Sequence, residues 1–104
     1  MLNPENTPGI HPQVRIGHVH LKVADVDRSL DFYCGVLGFQ LMQRMGRGAA
    51  FISAGGYHHH LGLNTWESRG GSPPPPGSTG LYHVAILYPS RAELGGALRR
   101  LLAV

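Results

Sequence analysis

Cysteine is almost absent from this chain. Cys34 is the single thiol among 104 residues, which excludes an intramolecular disulfide framework and makes a reducing cytoplasm the expected setting. Charge is scarce as well: 14% of the residues are charged and 42% are hydrophobic, which excludes a disordered, highly charged chain. No stretch of 18 or more apolar residues occurs, so no membrane-spanning helix and no membrane partner are expected. The opening MLNPENTPGIHPQ has no basic stretch followed by an apolar core and does not read as a signal peptide. Lysine is nearly missing, and the net charge of +3 is carried almost wholly by arginine. The arginines are dispersed, with only Arg99 and Arg100 adjacent. A nucleic-acid surface would gather them on one face with interleaved aromatics, so no nucleic acid is expected as a partner. Glutamate is limited to Glu5, Glu67 and Glu93.

Against these shortages stand seven histidines. Histidine is the commonest metal ligand and the usual acid–base side chain near neutral pH, which makes these seven the first candidates for a site. Residues 1–14, with Pro4, Pro8, Gly9 and Pro12, read as an irregular arm. Arg15–Val23 reads as a strand whose Val19, Leu21 and Val23 alternate with His18, His20 and Lys22, so one face meets a core and the other is polar. Asp25 or Asp27 caps the following helix. Val26, Leu30, Tyr33 and Leu37 form its apolar stripe, and Gly38 stops it. Strands are expected at 39–45, 49–54 and 57–66, with glycine turns between them. In the last of these, Leu61, Leu63 and Thr65 share one face, while His58, His60, Gly62 and Asn64 share the other. Strand alternation would point His59 away from its two neighbours.

Residues 72–80, SPPPPGSTG, read as a stiff proline-rich linker. A strand at 81–88 and a helix begun by Ser90, with Glu93 three residues on, complete the pattern. Leu94, Leu98, Leu101 and Leu102 form the apolar stripe of that helix. The fold class is therefore α+β. A βαβββ module spans 15–71, and 81–104 holds the βα start of a second module.

GHVHL at 17–21 parallels YHVAI at 82–86, so His18 and His83 fall at the same place in the two units. This repeat and the stretch GHVHLKVADVDRSLDFYCGVLGF resemble the vicinal oxygen chelate superfamily of glyoxalases, bleomycin-resistance proteins and extradiol dioxygenases. SAGGYHHHLGLNTW and PPPPGSTGLYHVAILYP are similar to its catechol 2,3-dioxygenase-like branch. The resemblance implies a cup in which His18 and His83 bind a divalent metal. The metal would be Fe(II) for an extradiol dioxygenase, or Zn, Ni or Mn for a glyoxalase-type lyase. The family's last strand supplies a glutamate ligand, and the second unit here stops after its helix. His60, two residues before the position where the first module's glutamate would align, Gly62, is a replacement ligand or a substrate contact. His20 lines the same pocket as an acid–base or substrate-contact group. His58 and Asn64 face a small-molecule substrate. Short histidine tracts such as 58–60 also bind metal in their own right.

Three readings follow: an extradiol dioxygenase-like domain, a glyoxalase-type or resistance protein, and a shortened, non-catalytic domain. The uncovered leucine stripe leads to the expectation of a homo-oligomer.

Overall fold

A computed structural model describes residues 3–104; residues 1 and 2 of the N-terminal arm lie outside it. The rest of the arm is exposed, with one short 3₁₀ turn at Pro4–Asn6 capped by the Asn3 side chain, which accepts from the Glu5 N–H. The first module holds four strands: β1 (Val19–Lys22), β2 (Gln40–Met45), β3 (Ala49–Ser53) and β4 (Leu61–Asn64). They form one sheet in the order β1-β4-β3-β2. β1 and β4 run parallel, with Val19 opposite Leu61, His20 opposite Gly62 and Leu21 opposite Leu63. The other two pairings are antiparallel. The crossover from β1 back to the sheet is made by α1 (Val26–Leu30), consistent with a helix being the usual way to join parallel strands.

Asp25 caps α1, its Oδ1 accepting from the Arg28 N–H at 3.0 Å. The helix then widens into a π-helical segment over Asp31–Val36. Gly38 ends it at φ +88°, a conformation that strains any residue with a Cβ. The widening changes the buried stripe. Each π turn takes more residues than an α turn, so Tyr33, Cys34 and Phe39 meet the core together with Leu30. Leu37, expected in that stripe, is half-buried and lies outside the cluster. Ile52, Leu61 and Leu63 form the fully buried centre, with Val19 and Leu21 packed against it. The alternation seen in the sequence therefore holds in β1 and β4: aliphatic side chains face the helix, and His20, Gly62 and Asn64 take the other face. Burial in this core raises the pKa of the Cys34 thiol, so it behaves as a small apolar group rather than a reactive one.

The strand expected at 81–88 does not form. Those residues make no backbone hydrogen bond to the sheet, and Leu81, Tyr82 and Leu87 are exposed. An isolated extended segment gains nothing from β propensity without a paired neighbour. The proline-rich segment before it is exposed and turns at Gly77, φ +83°. The second helix does form: α2 spans Arg91–Leu102, with Ser90 Oγ accepting from the Glu93 N–H. Arg100 ties it to the first module by donating to the carbonyl oxygens of Val36 at 2.9 Å and Leu37 at 3.3 Å. A guanidinium at the carbonyl end of a helix both satisfies free acceptors and opposes the helix dipole. Only Ala97 of α2 is buried, and Leu94, Leu98, Leu101 and Leu102 are exposed.

Candidate functional site

On the sheet face opposite the core, the chain gathers imidazoles from two places. β1 supplies His20, with His18 just before it. The loop between β3 and β4 supplies the rest. Gly55 and Gly56 both adopt positive φ, +74° and +82°, and reverse the chain so that residues 57–60 fold back over the start of β1. His60 then enters the sheet: its N–H donates to the Ile52 carbonyl, and its own carbonyl accepts from the Val19 N–H. Because residues 57–60 are irregular and not yet part of β4, strand alternation does not govern them, and His58 and His59 both reach His18. Ring centroids lie 6.0 Å apart for His18 and His58, and 4.3 Å for His18 and His59. The Nδ1 atoms of His58 and His59 are 3.0 Å apart. One nitrogen from each of His18, His58 and His59 lies within 4.8 Å of the other two, and among the described residues no carboxylate joins them. His59 also rests on Phe51, with centroids 4.9 Å apart. Burial, and then the neighbouring positive charge of His18, His58, His20 and His60, holds the His59 pKa below the ordinary imidazole range. Strand alternation alone would set His59 apart from its two neighbours; the Gly-Gly pair before the tract is the signal that it leaves strand geometry.

His20 is held by a separate set of contacts. Asn64 Oδ1 accepts from the Trp66 N–H at 3.0 Å, which fixes the orientation of the amide. Its Nδ2 therefore donates to His20 Nε2 at 2.7 Å, and His20 keeps its proton on Nδ1. Trp66, 65% exposed, flanks the ring at 5.7 Å between centroids. Gly62 makes room beneath it, since a Cβ there would lie 2.6 Å from His20 Nδ1. Asn64, expected as a substrate contact, is buried with both ends of its amide engaged, so here it orients His20. Replacing Gly62 by alanine is expected to push His20 off Asn64 while the sheet stays folded. Side-chain ¹⁵N spectra should change from one His20 tautomer to an exchanging mixture. An unaltered His20 signal would show that Gly62 does not set its position.

A cavity of about 560 Å³ opens where the start of β1, the start of β4 and the 81–87 segment come together. It is lined by His18, His60 and His83, with apolar walls from Phe39, Leu61 and the 81–87 segment. His83 thus shares a cavity with His18 without joining the close imidazole group. Within the cavity His60 Nδ1 accepts from the Ala54 N–H at 3.2 Å. A neutral His60 therefore carries its proton on Nε2. Glu67, the nearest glutamate in sequence, is exposed and paired with Lys22.

Residues 15–103 match the family model of the glyoxalase/bleomycin resistance protein/dioxygenase superfamily. Over 80 residues the chain is 45% identical to a catechol-2,3-dioxygenase of Bacillus subtilis (strain 168). That alignment takes in 76% of this chain but 28% of the relative, so the chain spans little more than a quarter of its length. In fold, the crystal structure of lactoylglutathione lyase from Agrobacterium tumefaciens is similar at a TM-score of 0.63 and 23% identity, covering 89% of this chain and 72% of that one.

Proposed function

The chain belongs to the glyoxalase/bleomycin resistance protein/dioxygenase superfamily, and we propose from that premise that it is a metal-dependent module of the extradiol type, acting on a catechol-like compound with two adjacent oxygens. The observation that carries the reading is the shared cavity: His18, His60 and His83 come from three separate segments and line one apolar-walled space. Three imidazoles suit Fe, Zn or Ni, and an imidazole-only set also occurs in catalytic zinc sites. Imidazole nitrogen suits Fe(II) for the dioxygenase and Zn, Ni or Mn for a lyase of the same architecture; of these three only His18 belongs to a group of described histidines close enough to share one ion, so His60 and His83 would have to move in to complete the set. When bound, such an ion would supply Lewis-acid polarisation of the substrate oxygens.

The chain's own side chains divide the remaining work. His18 and His83 stand on the metal side, as the resemblance implies. His60, with Nδ1 held by Ala54, offers its Nε2–H to a substrate oxygen or becomes a ligand after exchanging tautomers. His20, its Nδ1–H oriented by Asn64, is the proposed acid–base group and His58 the proposed substrate contact, both from outside the lining of the cavity. Phe39, Leu61, Val84 and Ile86 give the cavity its apolar walls. The exposed leucines of α2 and the β2 edge, with Leu41 and Met45 in water, lead to a homo-oligomer, and the single cysteine to a reducing, cytoplasmic setting.

Two measurements test this. Protein loaded with Fe(II) without air should open catechols when oxygen is admitted, and His83→Ala should lose that activity. Metal retained without turnover of catechols or of glyoxalase-type hemithioacetals would leave a binding protein instead. Light scattering at micromolar concentration should give at least twice the 11.2 kDa chain mass; a single-chain mass would remove the oligomer.

A further inference from the structure

We infer that His18, His58 and His59 form a divalent-cation site built by the first module alone, without His83 and sharing only His18 with the cavity described above. The turn at Gly55–Gly56 brings two consecutive histidines over a third from a different segment, and one nitrogen of each lies within 4.8 Å of the others. The closest pair, His58 Nδ1 and His59 Nδ1, is 3.0 Å apart. Two nitrogens bound to one tetrahedral ion at about 2.0–2.1 Å sit roughly 3.3 Å apart, so this pair already has the spacing of two ligands on one centre. Without a cation, that approach is tolerable only if one Nδ1 carries a proton toward the other. A metal would accept both lone pairs.

His18 and His58 are exposed and His59 is half-buried, so small side-chain rotations close the set without moving the sheet. His60 is the contrast: a metal-bound histidine ordinarily donates from its second nitrogen, whereas His60 Nδ1 accepts from the Ala54 N–H. Three neutral nitrogen donors with no carboxylate select Zn²⁺, Ni²⁺ or Cu²⁺ over Mg²⁺ or Ca²⁺. Three ligands on an open sheet face leave a coordination position free for a small oxygen- or nitrogen-bearing molecule.

The test is calorimetric titration of the full chain with Zn²⁺, and with Co²⁺ followed by its visible absorption, in the wild type and in His58→Ala, His59→Ala, His60→Ala, His83→Ala and His11→Ala. One ion per chain is expected. His58→Ala and His59→Ala should each weaken binding by about tenfold or more, with circular dichroism unchanged. The remote His11→Ala should bind within about threefold of the wild type, and His60→Ala and His83→Ala, which leave the three nitrogens of the site in place, should still bind one ion. Wild-type affinity in both His58→Ala and His59→Ala would overturn the site. So would loss of binding in His83→Ala, which would place the ion in the cavity and leave the proposed function standing. Binding with this pattern but no catechol turnover would remove the proposed function and keep the cation site.

Discussion

Replacing His18 by alanine is expected to weaken divalent-metal binding more than any other single histidine substitution. His18 is the one imidazole common to both groupings: it lies within 4.8 Å of ligand atoms on His58 and His59, and it lines the cavity with His60 and His83. Apparent binding energies of about 10–16 kcal/mol for four-ligand structural zinc sites divide to about 2.5–4 kcal/mol per ligand. Loss of one ligand then corresponds to a fall in affinity on the order of 10²–10³. The side chain is exposed and precedes β1, so the same change should alter folding stability by no more than about 0.5 kcal/mol. Zinc titration paired with urea unfolding separates the two effects. A His18→Ala protein that binds Zn²⁺ as tightly as the wild type would move the metal away from β1 altogether.

Leu63→Ala should produce the largest loss of stability. Leu63 is fully buried between Ile52 and Leu61, and it faces Leu21 across the parallel pair. Truncating such a leucine costs about 2–5 kcal/mol through lost transfer energy and the cavity left behind. That is a large share of the roughly 5–15 kcal/mol available to an ordinary domain. The register also couples this core to the site, because His20 lies opposite Gly62, the residue before Leu63. Loosening β1 against β4 should therefore disturb His20 as well. Leu102→Ala is the control: Leu102 is 77% exposed, and its truncation should shift the urea midpoint little. Equal midpoints for the two variants would mean the core is misplaced.

The residues explain which parts of this arrangement could be read in advance. Alternation in GHVHLKV placed Val19 and Leu21 toward the helix and His20 away from it, because a strand has only two faces. Asp25, Gly38 and Ser90 marked helix ends through local chemistry that needs no tertiary information. The superfamily and its α+β module were legible in the same stretches, and the family match and the similar lyase fold bear them out. What escaped depended on distant partners. The segment at 81–88 has the composition of a strand, but pairing is a property of two segments and nothing hydrogen-bonds to it. The widening of the first helix exchanged Leu37 for Cys34 and Phe39 at the core. His59 was assigned to the wrong side because period-two alternation was carried through residues 57–60, where Gly55 and Gly56 had already turned the chain. The role of Asn64 rests on hydrogen bonds to Trp66 and His20, the second of them 44 residues away in sequence and not visible in the local pattern.

The most direct test of a histidine-held metal is X-ray absorption at the zinc edge, on the full chain loaded with one equivalent of Zn²⁺. The expected spectrum shows nitrogen neighbours at about 2.0–2.1 Å with imidazole multiple scattering from three rings, reduced by one ring in His59→Ala. A first shell of oxygen alone, or three imidazoles that persist in His59→Ala, would contradict a cation held by His18, His58 and His59.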